Sequence, residues 1–135
     1  MKIILNVVPR TKKNSSQLIF VKGKPRIIPS KKYREFEQEC LWQITGTYKK
    51  KIDYPVNIKA VFYMESRRRV DLTNLLEALD DMLVKAEVIA DDNRDIIASH
   101  DGSLVLYDKT SPRIEVEIER KEQYEQWKKL KKGII

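Results

Sequence analysis

Three aspartates in this sequence stand where they could share one metal ion. Asp71 follows three consecutive arginines, and the pair Asp91 and Asp92 begins 20 residues further on. Converging carboxylates are the usual protein ligands of Mg²⁺, which keeps several of its waters. A bound metal ion lowers the pKa of such a water and offsets the charge that builds on a phosphorane, while arginines hold the substrate phosphates. The pattern is therefore typical of phosphodiester hydrolysis.

Asp71 and the Asp-Asp pair could also have purely structural roles, and the residues alone do not decide between the two explanations. Asp71 directly precedes a helical pattern, where an aspartate often accepts a hydrogen bond from a first-turn N–H. An Asp-Asp pair in a loop is commonly a turn signal.

Length and charge narrow the class of protein and of partner. The chain has 135 residues, with 27 Lys and Arg against 20 Asp and Glu, a formal charge of +7. This is the size of one domain, so we predict a single domain over residues 1–135. Clustered positive charge favours a polyanionic partner such as nucleic acid.

Several classes are excluded or disfavoured. The apolar runs are far shorter than the roughly 20 residues that cross a bilayer, so we expect no membrane partner. The sequence has no Walker loop and no dinucleotide-binding glycine motif, so we expect no nucleotide cofactor. The lone cysteine, Cys40, agrees with a cytoplasmic location and is predicted to lie in the core. The lone histidine, His100, leaves too few ligands for a zinc site and is predicted to be a polar residue at a strand end.

The hydrophobic pattern predicts an α+β fold of one domain, with a mixed or mostly antiparallel sheet, two main helices and a short C-terminal helix. The predicted strands are residues 3–8, 18–21 with 27–28 as a hairpin, 56–65 in the centre of the sheet, 96–99 with 104–107 as a hairpin about Asp101-Gly102, and 113–119. The predicted helices are residues 30–45, 72–86 and 120–132. Trp42 and Trp127 are predicted to pack against the protein, with Tyr124 and Leu130 also facing inward.

The segment RRRVDLTNLLEALDDMLVKAEVIADDNRDI, residues 67–96, resembles the signature region of the RusA family of Holliday junction resolvases. In that family a basic stretch precedes Asp-Leu-Asp-Asn-Leu, an amphipathic helix follows, and a second Asp-Asp closes the motif. The segment PRTKKNS, residues 9–15, resembles the family's N-terminal segment. The resemblance implies a RusA-like fold and a homodimeric, Mg²⁺-dependent endonuclease that cuts four-way DNA junctions symmetrically. It also implies a role in DNA recombination and repair, often in a prophage.

The resemblance assigns the site residues by position. The implied metal ligands are Asp71, Asp92 and Asp91, for Mg²⁺ or its substitute Mn²⁺. Glu77 is a supporting catalytic candidate from its place on the helix face, not from the resemblance. The predicted DNA contacts are Arg67, Arg68, Arg69, Lys12 and Lys13, assigned to phosphate by their charge, with Asn14 and Asn74, which match the family pattern, to orient ligands or the DNA backbone.

The chain departs from the family pattern at two positions on one helix face. Thr73 replaces the family's second carboxylate, and Glu77 replaces its lysine one turn later. Glu77 compensates for the lost carboxylate, or activity falls and a nucleic-acid-binding protein remains; an RNA-directed nuclease would use the same ligands. These alternatives stay open.

Helix geometry constrains how Asp71 and Asp92 can meet. Residues 72–86 carry the chain about 22 Å from Asp71, and residues 87–92 can return at most about 20 Å. We therefore predict either a return within one chain or a site completed by a partner chain.

Overall fold

A computed structural model describes residues 1–12 and 16–134 of the chain. The strands are β1 (Lys2–Leu5), β2 (Ser16–Val21), β3 (Lys24–Pro29), β4 (Val56–Met64), β5 (Ile97–Ser99), β6 (Leu104–Tyr107) and β7 (Arg113–Arg120). The helices are α1 (Lys31–Gln43), α2 (Leu72–Lys85) and α3 (Glu122–Ile134), with a short 3₁₀ turn at Gly46–Tyr48. The predicted α+β class with a mixed sheet is confirmed.

The main sheet is built around β4. One edge of β4 pairs antiparallel with β7, which pairs antiparallel with β1, and the other edge pairs parallel with β5 and β6. Side chains alternate along β4, so that Val56, Ile58, Ala60 and Phe62 are buried. The prediction of a central strand here is confirmed.

The core lies between this sheet and the apolar stripes of α1 and α2. Helical spacing predicts these stripes, and their members pack with the inward residues of β1, β4 and β7 in one cluster. Cys40 is fully buried, and burial raises the pKa of its thiol to about 12. It is therefore a core residue, as predicted, rather than a nucleophile.

The predicted hairpin at Asp101-Gly102 is wrong. β5 and β6 both run parallel to β4 along the same edge, so the turn between them interrupts the strand but does not reverse the direction of the chain. The Asn57 side-chain oxygen accepts hydrogen bonds from the Asp101 N–H at 2.7 Å and the Ser99 hydroxyl at 2.6 Å. Gly102 adopts a φ of 87° in the turn between β5 and β6. The Asn57 side chain thus links β4 to the chain where backbone pairing between the strands is interrupted. The Asp-Gly pair alone does not predict this contact.

The packing prediction for the tryptophans is also wrong. Trp42 is 84% exposed, Trp127 is 53% exposed and Leu130 is 65% exposed. Trp42 lies two residues, about 200°, from the buried Cys40 on α1, so it points away from the core. α3 follows β7, and the apolar face of the sheet is already covered by α1 and α2.

None of the described helices is both long and apolar enough to span a bilayer.

The β2–β3 hairpin forms a separate two-stranded arm, as predicted. Its register pairs Leu18 with Ile27 and Phe20 with Pro25, so these four side chains share one face. Leu18 is 59% exposed, Phe20 69% and Ile27 77%. Two-stranded hairpins are marginally stable alone, so an uncovered apolar face favours a partner surface.

His100 joins α2 to the sheet. Its Nδ1 lies 2.8 Å from the carbonyl oxygen of Ile58 on β4, and its Nε2 lies 2.9 Å from the carboxylate of Asp80 on α2. Burial lowers the pKa of His100, but the hydrogen bond and charge of Asp80 outweigh burial and raise it overall. Burial raises the pKa of Asp80, partly offset by His100. The prediction of a polar residue at a strand end is confirmed.

His100→Ala should destabilise the protein in a pH-dependent way. Both folded-state pKa values lie above their ordinary values, so the folded protein binds more protons and wild-type stability falls as pH rises through each range. Removing the imidazole leaves the Asp80 carboxyl without its donor, at a cost of about 2 kcal/mol near pH 6 and less near pH 8.5. Urea denaturation at the two pH values, with Lys109→Ala as the control, measures the difference; an equal cost at both would contradict the linkage.

Candidate functional site

Asp71 stands at the junction of β4 and α2. β4 ends at Met64, a basic connection follows, and Asp71 occupies the residue before the first turn of α2. Within the described chain, its carboxylate makes no hydrogen bond to a first-turn N–H of the helix. Its Oδ2 instead accepts a hydrogen bond from the side-chain amide of Asn74 at 3.2 Å. The capping explanation of Asp71 therefore fails, and its carboxylate is exposed to solvent.

Asp71 lines an open cleft of about 460 Å³. Arg68, Arg69 and Asn74 line the same cleft, while the guanidinium of Arg67 lies over the ring of Tyr107, 4.4 Å from its centroid. Two of the three consecutive arginines thus face the space beside Asp71. A phosphate entering the cleft would meet guanidiniums next to a carboxylate.

Two basic residues that the sequence reasoning did not assign to the site line this cleft as well. They are Arg10, in the segment after β1, and Lys32, in the first turn of α1. They are separated from Asp71 by 61 and 39 residues, and nothing in the local pattern links them to it. The fold alone brings them there.

Lys12 and Glu77 lie at a neighbouring hollow of about 270 Å³ that Asn74 also lines. The ammonium of Lys12 donates a hydrogen bond to Asp81 on α2 at 2.9 Å and lies 5.7 Å from the centre of the Tyr33 ring. Asn74, Glu77 and Asp81 form one polar stripe on α2. Their helical spacing predicts that they share a face, but it does not predict that Lys12 contacts this face. Lys13 and Asn14 lie outside the described residues.

Asp91 and Asp92 lie in the exposed loop after α2. Asp91 accepts hydrogen bonds from the backbone N–H of Asp92 at 2.7 Å and from the side-chain amide of Asn93 at 3.2 Å, as a turn residue does. Partial burial, a hydrogen bond from its carboxyl to Asp91 and the negative charge of Asp81 and Asp91 raise the pKa of Asp92. Asp92 therefore lies in an acidic neighbourhood that favours a cation.

The candidate ligands have the right chemistry for a hard divalent cation, but one chain does not gather them. In the part of the chain that the structure describes, no three His, Cys, Asp or Glu side chains come together as a metal-binding group. Asp81, whose charge acts on Asp92, is ten residues and so about 15 Å along α2 from Asp71. A cage of three carboxylates thus needs a rearrangement of one chain or a contribution from another.

Comparison with known proteins identifies the family. The model of the family "Endodeoxyribonuclease RusA" matches residues 6–119. The chain belongs to the RusA family. It is also similar to the crossover junction endodeoxyribonuclease RusA of Aquifex aeolicus (strain VF5), at 28% identity over 94 residues, which cover 69% of this chain and 72% of that protein. The predicted RusA membership and the predicted nuclease class are confirmed, and nucleases of the RusA family generally depend on a divalent metal ion.

Proposed function

We propose that this RusA-family protein is a Mg²⁺-dependent endodeoxyribonuclease that resolves four-way DNA junctions by paired symmetric cuts in recombination and repair. One observation carries the proposal: the exposed carboxylate of Asp71 caps no backbone N–H of the helix that follows it and lines a cleft that guanidiniums also line. The cytoplasmic location and the prophage origin stay predictions.

Residues of the cleft and of the Asp91-Asp92 loop would take different parts in phosphodiester hydrolysis. Asp71 and Asp92, supported by Asp91, would hold the metal ion, which supplies a nucleophilic hydroxide and Lewis acidity when bound. Arg68 and Arg69 bind and orient the phosphate oxygens.

Asn74 donates to Asp71 Oδ2 at 3.2 Å, which fixes the carboxylate and directs its other oxygen toward a ligand. Glu77, one turn further along α2, supplies a carboxylate in place of the one lost at Thr73.

A twofold-symmetric junction is most simply cut by a twofold-symmetric dimer with two sites. We assign the apolar face of the β2–β3 arm, with Leu18, Phe20 and Ile27, to the dimer contact, because three large apolar side chains are exposed together on it. In this dimer Asp71 of one subunit meets Asp91 and Asp92 of its partner. A shared site would bring together carboxylates that, within the described residues of one chain, form no group of three.

A substrate panel tests this function. The wild-type protein should cut a synthetic four-way DNA junction in Mg²⁺ or Mn²⁺ at symmetric positions, and should cut a linear duplex of the same sequence or a matched RNA junction at least about 100-fold more slowly. Faster cleavage of RNA would indicate an RNA-directed nuclease. Salt-sensitive binding without cleavage in either metal would indicate a branched-DNA-binding protein instead.

A further inference from the structure

The Asp71 cleft has cations from three separate parts of the chain. Arg68 and Arg69 come from the connection between β4 and α2, Arg10 comes from the segment after β1, and Lys32 comes from α1. Arg10 and Lys32 also line a second hollow of about 440 Å³ that extends away from Asp71. Glu35 and Glu39 line this second hollow as well, so its wall carries charges of both signs, and the excess of positive charge lies in the Asp71 cleft.

The segment that carries Arg10 is held on both sides. Before it, Asn6 and Gln43 exchange two hydrogen bonds, of 2.8 and 3.2 Å, which tie the chain to the end of α1. After it, Lys12 binds Asp81 on α2 at 2.9 Å. Pro9, immediately before Arg10, is buried. The backbone at Arg10 is thus fixed in advance, which reduces the entropy lost when its side chain binds a ligand.

The cleft cations form no ion pair with a carboxylate in the described part of the chain. Within residues 1–12 and 16–134, none of Arg10, Lys32, Arg68 and Arg69 has a carboxylate oxygen within 4.0 Å. Elsewhere in the fold, by contrast, Arg113 pairs with Asp108 at 2.9 Å and Lys85 pairs with Glu37 at 3.0 Å. The cleft is also lined by two carboxylates, Asp71 and Glu65, so the four unpaired cations leave an excess of positive charge that attracts an anion from outside the protein.

We propose that Arg10 and Lys32 each contact a phosphate of the DNA backbone and extend the binding track of Arg68 and Arg69 from Asp71 onto the N-terminal part of the fold. This assignment rests on the proposed function for its substrate class. A duplex arm presents regularly spaced phosphates, so a track with cations on several elements orients that arm relative to the reacting bond. Lys12, which is already bound to Asp81, positions this track.

The salt dependence of junction binding tests the proposal in buffer without divalent metal. Log affinity falls with log salt concentration, and each phosphate contact makes this negative slope steeper by about 0.9. Arg10→Ala and Lys32→Ala should each make the slope shallower by about 0.9 and weaken binding about 8-fold at 0.1 M salt. The double variant should have a slope that is shallower by about 1.8. The matched controls are Lys109→Ala and Lys50→Ala/Lys109→Ala, which remove the same charge outside this cleft.

The outcomes separate this inference from the nuclease proposal. If the cleft variants keep the slope of their charge-matched controls, or if the wild type shows no salt-dependent binding to the junction, the inference is wrong. If the slopes change as expected but the wild type never cuts a junction in Mg²⁺ or Mn²⁺, the phosphate track stands and the nuclease proposal fails. Thermal unfolding of each variant separates lost affinity from lost folding, since Arg10 is half-buried and Lys32 is exposed.

Discussion

Asp71→Asn should lower the rate of junction cleavage by more than about 100-fold and leave junction binding intact or tighter. The substitution removes a negatively charged oxygen ligand and a repulsion with the phosphate backbone, but changes little in size. Asparagine is as good a residue as aspartate before a helix, and the Asp71 carboxylate makes no capping bond, so the fold should be unaffected. Single-turnover cleavage in Mg²⁺ and equilibrium binding without metal measure the two effects separately.

Asp53→Asn is the matched control, because Asp53 is an exposed aspartate that lies outside the cleft. It should cut at the wild-type rate. If Asp71→Asn also does, Asp71 is not catalytic, whatever the affinity for the junction. If Asp71→Asn loses binding and cleavage together, the carboxylate supports the cleft rather than the reaction.

Much of the fold could be predicted because its signals are local. The spacing of apolar residues on α1, α2 and β4 identifies their buried faces, since burial there repeats with the period of the backbone. The failures depend on neighbours that are remote in sequence. Asp101-Gly102 has hairpin chemistry, but the Asn57 side chain binds the strand at that turn and keeps it parallel to β4. Trp42 is exposed because the core is complete without it.

The site residues likewise fall into those that local sequence predicts and those that only the fold brings together. Asp71 and the arginines before it could be found because they adjoin one another in the sequence, and the Asp91-Asp92 pair because its spacing matches a known pattern. Arg10 and Lys32 could not, because only the packing of β1 and α1 beside α2 brings them to the cleft. The chain between Asp71 and Asp92 is long enough for a site within one chain and also for a site shared by two chains, so counting residues could not choose between them.

A mixed dimer of Asp71→Asn and Asp92→Asn subunits should recover cleavage that each variant alone has lost. If Asp71 of one subunit works with Asp92 of its partner, one site of the mixed dimer carries both substitutions and the other carries neither. The intact site should cut at about the wild-type rate, so the mixed dimer should retain about half of the wild-type sites. Its product should be a junction nicked on one side, because the opposite site carries both substitutions and is inactive.

Co-expression with two different affinity tags allows the mixed dimer to be purified, and a mixed dimer of Asp71→Asn with a second, differently tagged Asp71→Asn subunit is its control. The control should stay inactive, because both of its sites lack Asp71. If each site were formed within one chain, every site of the mixed dimer would carry one substitution and no cleavage would return. If no mixed dimer forms, two-chain completion fails at the earlier step of association. Recovery of single nicks therefore requires both an assembled dimer and carboxylates from two chains at one metal ion.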